Sequence, residues 1–369
     1  MRLPCKERRK RQLLCDFVFL KTLYLRNFRN YSETQVDFHP KCNVLYGDNA
    51  QGKTNLLEAA YLIATGRSFK TMRLEELIRE GQSFFYIEAI VVKDMISQSV
   101  KLSFDGESRR LQTEANTYSS FHHLLGLLPS VLYAPSDAEL ITGSPSLRRR
   151  FFNLHLAQSD PLYVHHLSRF WRAMKQRNCL LKMRNEHDLD CWEIEMAHSA
   201  AYLYTARIEM IQEIKEPLLK NSRALSGKKE ALELRYQPSY QPDTYLSQLK
   251  KSRPREVLLG ATLAGPHRDE LLIQIEGKPA RLFASEGQKK TAMAALRLAE
   301  WERLCRRVEG MALMGIDDFG LHLDNPRQQL LCNQLEGLGQ VFVTTPHSPS
   351  HWKALAGAHQ IRIEAGSVS

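Results

Sequence analysis

Gly47-Asp48-Asn49-Ala50-Gln51-Gly52-Lys53-Thr54 fits G-x-x-x-x-G-K-S/T, and its flanks give that pattern a physical use. The apolar stretch 43–46 reads as a short strand leading in, and an amphipathic helix is expected from near Lys53 to Gly66. Glycines there let backbone N–H groups wrap a row of phosphates without a Cβ in the way, and the helix N-terminus adds partial positive charge. Lys53 is placed to reach the β- and γ-phosphates, and the Thr54 hydroxyl to ligate Mg²⁺. A strand, this loop and a helix together specify a triphosphate cradle; an incidental glycine-rich turn is the plain alternative.

Such a cradle needs a second metal ligand, and Met311-Ala312-Leu313-Met314-Gly315-Ile316-Asp317-Asp318 supplies an apolar strand ending in two carboxylates. Asp317 is expected to hold the metal through water and Asp318 to polarise the water that attacks the γ-phosphate. Gly315 is an irregularity within that strand. Between the two motifs, Phe283-Ala284-Ser285-Glu286-Gly287-Gln288-Lys289-Lys290 opens a helix whose apolar side carries Ala292, Met293, Ala295, Leu296 and Ala299. Ser285 as N-cap, with Gly287 and Gln288 in the first turn, suits a γ-phosphate presented by a second molecule. Each of these features has a bland reading alone, a solvated strand end or a capped helix. Their order along the chain resembles an ABC-type head. Leu323-Asp324 stands at the D-loop position, and Thr345 or His347 is the candidate switch residue.

Working outward, 23–37 alternates as strand, and 84–111 is β-patterned with Asp105-Gly106 as a hairpin turn. From about Pro135 to Leu225 the texture is helical. Gly227, Pro238, Pro242 and Pro254 then punctuate the chain, before strands at 271–275, 311–316, 340–345 and 360–363. The fold expected is therefore α/β: a P-loop ATPase head with a mixed sheet, interrupted by an inserted, mainly helical lobe. The corresponding division is 1–20 as a basic extension, 21–135 and 255–369 as the two parts of ATPase lobe I, and 136–254 as helical lobe II.

The 369 residues are 43% hydrophobic and 25% charged, which excludes a disordered or fibrous chain. The net charge is +10, and the leader 1–20 holds a net four of it. That leader imitates a secretory signal, but Asp16 interrupts it, Lys21 closes it and no small-residue cleavage site follows. With no apolar run of membrane-spanning length, a cytoplasmic protein without a membrane partner is expected. The seven scattered cysteines lack a C-x-x-C pair, which favours reduced thiols over zinc. Charge is more telling between Arg148 and Arg184, where nine bases meet one acid, Asp160. On a helix, Leu167, Phe170, Met174 and Leu181 share one face, while Arg169, Arg172, Lys175 and Lys182 lie broadly opposite. Such a stripe would contact DNA phosphates with salt-dependent affinity and little sequence preference; a merely solvated face, or a brace between lobes, is the alternative.

Asn27-Phe28-Arg29-Asn30-Tyr31, the loop 47–54 with Asn55-Leu56-Leu57-Glu58, Gly66-Arg67-Ser68 and the stretch from Ala134-Pro135 to Arg148-Arg149-Arg150-Phe151 resemble the bacterial RecF family. So do Lys175-Gln176-Arg177-Asn178, Gly265-Pro266-His267-Arg268-Asp269 and Phe283-Ala284-Ser285-Glu286-Gly287-Gln288. The resemblance implies ATP and Mg²⁺ as cofactors, a dimer formed around ATP, and slow hydrolysis in support of DNA binding. It also implies gapped or junction DNA as ligand, RecR and RecO as partners, and a role in loading recombinase. Leu321 and His322 depart from the family's D-loop pattern, and Lys289-Lys290 from its usual glutamine-containing pair, which puts the hydrolysis rate in question but not ATP binding. The ATPase subunit of a membrane transporter and a nucleotide-gated repair scaffold are the competing readings.

Overall fold

The computed structural model describes residues 18–185, 187–227, 230–319, 325–335, 337–346, 355 and 357–368. β1 (Val18–Phe28) turns back through Arg29 and Asn30 onto β2 (Tyr31–Asp37), with Phe28 opposite Tyr31. The apolar β3 (Cys42–Tyr46) runs into the glycine loop, and α1 (Lys53–Thr65) follows, ending at the left-handed Gly66. Next come β4 (Phe85–Lys93), β5 (Ile96–Phe104), β6 (Arg109–Thr113), β7 (Thr117–Tyr118) and β8 (Ser130–Tyr133). The turn expected at Asp105-Gly106 joins β5 to β6, its backbone tied by the Asp105 carboxylate accepting from Glu107 and Ser108 N–H groups.

The helical stretch holds α2 (Pro145–Ala157), α3 (Pro161–Met183) and the long α4 (Leu189–Leu225). After it come β9 (Leu232–Gln237), α5 (Tyr245–Leu259), β10 (Glu270–Ile275) and β11 (Lys278–Pro279). The chain closes with α6 (Glu286–Val308), β12 (Leu313–Ile316), α7 (Asn325–Leu335), β13 (Val341–Thr345), β14 (His359–Glu364) and β15 (Ser367–Val368).

Two compact units emerge. The first gathers the described residues up to Asp137, 224–227, and those from Lys290 onward. It contains an antiparallel sheet ordered β2-β1-β4-β5-β6-β7 and a mainly parallel one ordered β15-β14-β3-β13-β12-β8. In the parallel sheet, β8, β12 and β13 are buried along their whole length, so they read as continuous apolar runs rather than alternating ones. One apolar core draws on both sheets and α1, through Leu25, Phe28, Leu57, Phe85, Leu132 and Phe342 among others. At the end of the span 1–20 that was expected to be an extension, Val18 and Leu20 are buried strand residues opposite Lys93 and Val91. A register shift between Leu20 and Thr22 takes up the exposed Lys21, and this breaks the alternation that a strand reading would follow upstream of Leu23.

The second unit comprises 138–223 and 228–289, so the compact division falls at 289/290 where 254/255 was expected. The reason is a strand pair: β10 runs antiparallel to β9, with Leu271 opposite Tyr236, and so joins the helical unit. Pro254, read as punctuation, lies inside α5. Burial of Tyr245, Leu249 and Glu256 holds that helix through a residue that removes one of its N–H donors.

Two of the nine bases counted between Arg148 and Arg184 do structural work in this unit. Arg177, fully buried, donates to Glu193 at 3.0 Å, to Glu256 at 2.6 Å and to the Thr262 hydroxyl at 2.9 Å. Arg148 grips Glu270 through two parallel bonds of 2.7 and 2.9 Å. Gly265-Pro266-His267-Arg268-Asp269 is likewise a structural turn: the buried Asp269 carboxylate accepts from Arg207, Tyr236 and Ser239.

Candidate nucleotide-binding site

Strand order builds the site. Because β13 lies between β3 and β12, the C-terminal ends of three parallel neighbours bring Gly47, Thr344 and Asp317 side by side, where ligands of such sheets bind. Gly47 and Gly52 have φ of 144° and 120°, which side chains rarely adopt, and a Cβ on Gly47 would lie 2.3 Å from the Ile363 carbonyl oxygen. Asp48, Asn49 and Ala50 are exposed at the crest of the loop. Gly52 supplies no side-chain cap, so the first N–H groups of α1 are left for a ligand.

The Lys53 side chain curls back into the loop, and Nζ donates to the carbonyls of Gly47 at 2.7 Å and Asp48 at 2.6 Å. Burial lowers its pKa, while Asp318, Asp317 and Asp48 pull it up. Asp317 is the centre of the acidic side: its Oδ1 accepts from the Thr54 hydroxyl and from the Thr344 hydroxyl, each at 2.8 Å. Thr344 Oγ1 in turn accepts from the Asp318 N–H at 2.8 Å, and Asp318 sits in the left-handed region at φ 53°. Desolvation pushes the Asp317 carboxyl above its ordinary range, against the hydrogen bonds from Thr344 and Thr54. Lys53, Thr54, Asp317 and Asp318 are thus gathered in one place. Gly315 has a packing reason: a Cβ there would stand 2.9 Å from Leu132 Cδ1 and 3.2 Å from Leu57 Cδ1, so its absence seats α1 on β12.

Several residues were not singled out for the site and yet shape it. Tyr31 donates to the Gly52 carbonyl at 3.0 Å, and Asn30 to the Gln51 carbonyl at 2.9 Å. Asn55 bonds Asn30 at 2.8 Å, and Lys70 bonds Asn55 at 3.0 Å. Behind them, Arg29 holds the fully buried Glu58 with bonds of 2.9 and 2.8 Å, and Ser68 donates to the same carboxylate. The Gly366 N–H donates to the Gln51 carbonyl at 3.0 Å and the Ala365 N–H to its side chain at 2.6 Å, closing the loop from the C-terminal turn. Most of these residues stand in the stretches 27–31, 55–58 and 66–68 that carried the family resemblance, with no role attached to them there. Thr344 carries the hydroxyl that touches Asp317; its neighbour Thr345 is buried, and His347 lies outside the described residues, as do Leu321, His322, Leu323 and Asp324.

Ser285, Gly287 and Gln288 lie in the second unit. The Ser285 N–H donates to Gln288 Oε1 at 2.9 Å and the Gln288 N–H to Ser285 Oγ at 3.3 Å, a reciprocal capping box at the start of α6. Ser285 itself is exposed. On α3, Arg172, Lys175 and Lys182 are exposed as expected, but Arg169 is paired through two bonds with Glu195.

The family described as RecF/RecN/SMC N terminal domain matches residues 19–365. The DNA replication and repair protein RecF of Protochlamydia amoebophila (strain UWE25) is 43% identical over 335 residues, covering 88% of this chain and 93% of that one. The chain belongs to the RecF family. The RecF of Chlamydia trachomatis serovar L2 (strain ATCC VR-902B / DSM 19102 / 434/Bu) is 35% identical, covering 89% of this chain and 93% of its own. Among solved structures, the recombination mediator protein RecF with ATP superposes with a TM-score of 0.86 at 28% identity, covering 96% and 97% of the two chains. An Smc head domain from Pyrococcus furiosus reaches a TM-score of 0.54 at 14% identity over 96% of each chain, a likeness of fold. The α/β architecture of an ABC-type head, the RecF resemblance and the ATP-binding class all stand on these matches. Among the described residues, no helix is long and apolar enough to cross a membrane.

Proposed function

We propose that the chain binds ATP with Mg²⁺ and uses the nucleotide to control its hold on DNA during recombinational repair and replication. The observation that carries this reading is the 2.8 Å bond between Thr54 Oγ1 and Asp317 Oδ1, which joins the end of the glycine loop to the end of an apolar strand. That pair of hard oxygen donors fits Mg²⁺, and the bare N-terminus of α1 with Lys53 Nζ fits a triphosphate. When bound, Mg²⁺ supplies charge neutralisation at the β- and γ-oxygens. Residues 47–54 wrap the phosphates, Lys53 balances their charge, and Thr54 and Asp317 hold the metal. Asp318 orients the attacking water.

In this reading the first unit is the ATPase lobe and the second is the helical lobe. Ser285, Gly287 and Gln288 of a second copy complete the site, so ATP is sandwiched in a homodimer that slow hydrolysis reopens. Arg172, Lys175 and Lys182 contact DNA backbone, with Arg169 diverted to Glu195. Gapped or junction DNA and the proteins RecR and RecO are the partners, in the cytoplasm. The relatives' name and the RecFOR pathway named for the ATP-bound structure support this role.

Sedimentation with and without ATP and gapped DNA tests it. Lys53→Ala is expected to abolish ATP-dependent dimerisation and to reduce ATP turnover at least tenfold, in line with loss of a phosphate-binding charge. Unchanged dimerisation and turnover would sink the proposal.

A further inference from the structure

α3 carries no aspartate or glutamate along its 23 residues, and its exposed face mixes cations with one large aromatic ring. At 3.6 residues per turn, Trp171, Lys175, Asn178 and Lys182 fall within about 60° of one another and span about 16 Å of helix axis. Arg172 flanks this row and, with Lys175 and Lys182, is exposed. Trp171 keeps 46% of its surface exposed. Its ring neighbours do not lie flat against it; Phe170 meets it at 80° and 6.4 Å, and His267 at 62° and 6.3 Å. Phe170 is itself fully buried, so the indole borders the packed interior while keeping nearly half of its surface open.

An exposed indole at the head of a ladder of cations is the composition of a single-strand site. Phosphates pair with the lysines and an unstacked base lies on the ring, whereas duplex DNA keeps its bases inside and offers only phosphates. We propose that Trp171 is a stacking platform for an unpaired DNA base, so that this face of α3 favours single-stranded DNA over duplex. The proposal rests on the DNA-binding reading of Lys175 and Lys182 and adds to it a ligand class and a residue.

The test is fluorescence anisotropy of the full-length protein, with a non-hydrolysable ATP analogue, on labelled oligothymidine and on a duplex of equal length across a salt series. Trp171→Ala is expected to weaken single-strand binding about tenfold, the effect of losing one base–aromatic stack, with duplex affinity and salt slope unchanged. Trp171→Phe should retain most of the affinity, and a matching melting temperature shows that the fold is intact. Lys175→Ala combined with Lys182→Ala should weaken both ligands and flatten the salt slope by about 1.4 on the single strand. Should the lysine pair weaken both ligands while Trp171→Ala leaves single-strand affinity intact, the DNA reading survives and the stacking proposal is overturned. Equal losses in Trp171→Ala and Trp171→Phe, or equal losses on both ligands, overturn it as well. If the lysine pair changes neither affinity, the DNA reading of this face falls and the stacking proposal with it.

Discussion

Thr344 shows how much a single hydroxyl can organise. It donates to the Asp317 carboxylate and accepts from the Asp318 N–H, tying the first side chain to the backbone of the second. Replacing it with valine keeps the shape and removes both bonds, one of them charge-assisted, at a cost of about 1.5–3 kcal/mol. Thr344→Val is therefore expected to weaken Mg²⁺-dependent ATP binding about tenfold or more in a nucleotide titration, and Thr344→Ser to restore it. The same change removes a contact that lowers the Asp317 pKa. A carboxyl raised further is protonated at a higher pH, so binding in the valine variant should fail at a higher pH than in the parent as the solution is acidified. Asp317 and Asp318 were legible as the end of an apolar strand. Thr344 was not, because its role depends on β13 pairing between β3 and β12, a fact of topology that no local pattern carries.

At the scale of elements, two substitutions separate packing from charge. Gly315→Val drives a branched side chain into Leu132 and Leu57, and overpacking of this kind costs about 1–3 kcal/mol. A lowered melting temperature together with weaker ATP binding is expected, since the displaced element is α1 itself. Arg177→Ala leaves Glu193 and Glu256 buried around a missing cation, which costs about 3–5 kcal/mol, and urea denaturation should register it as instability of the protein. A purely DNA-contacting arginine would instead leave stability alone. Glycine loop, flanking strand and α1 were readable because their chemistry is contiguous. The roles of Arg148, Arg169 and Arg177 were not: counting bases along 148–184 cannot tell a solvated cation from one held by carboxylates up to 122 positions away. α5 was missed because Pro254 reads as a helix stop, and only the burial of Tyr245 and Leu249 overrides it.

For the molecule as a whole, His267 links stability to pH. Its Nε2 faces the Thr262 carbonyl at 3.1 Å and therefore carries the proton, while the buried Nδ1 has no partner. Desolvation, with help from Arg268 and Arg149, depresses its pKa from the ordinary 6.5 to about 4. Between those values the unfolded chain binds the proton more readily than the folded one, so the stability contributed by the neutral His267 is full above pH 6.5 and falls toward pH 4. Denaturant titrations at a series of pH values should show that slope, and His267→Gln should flatten it.

The glycine loop near the start of the sequence has its far wall at the opposite end. Ile363 packs against Gly47, and Ala365 and Gly366 donate to Gln51. A polypeptide still emerging from the ribosome thus carries the whole motif long before the residues that brace it have been made. Nucleotide capture of the kind drawn above becomes a late event in synthesis, withheld from unfinished copies by the order in which the chain is written.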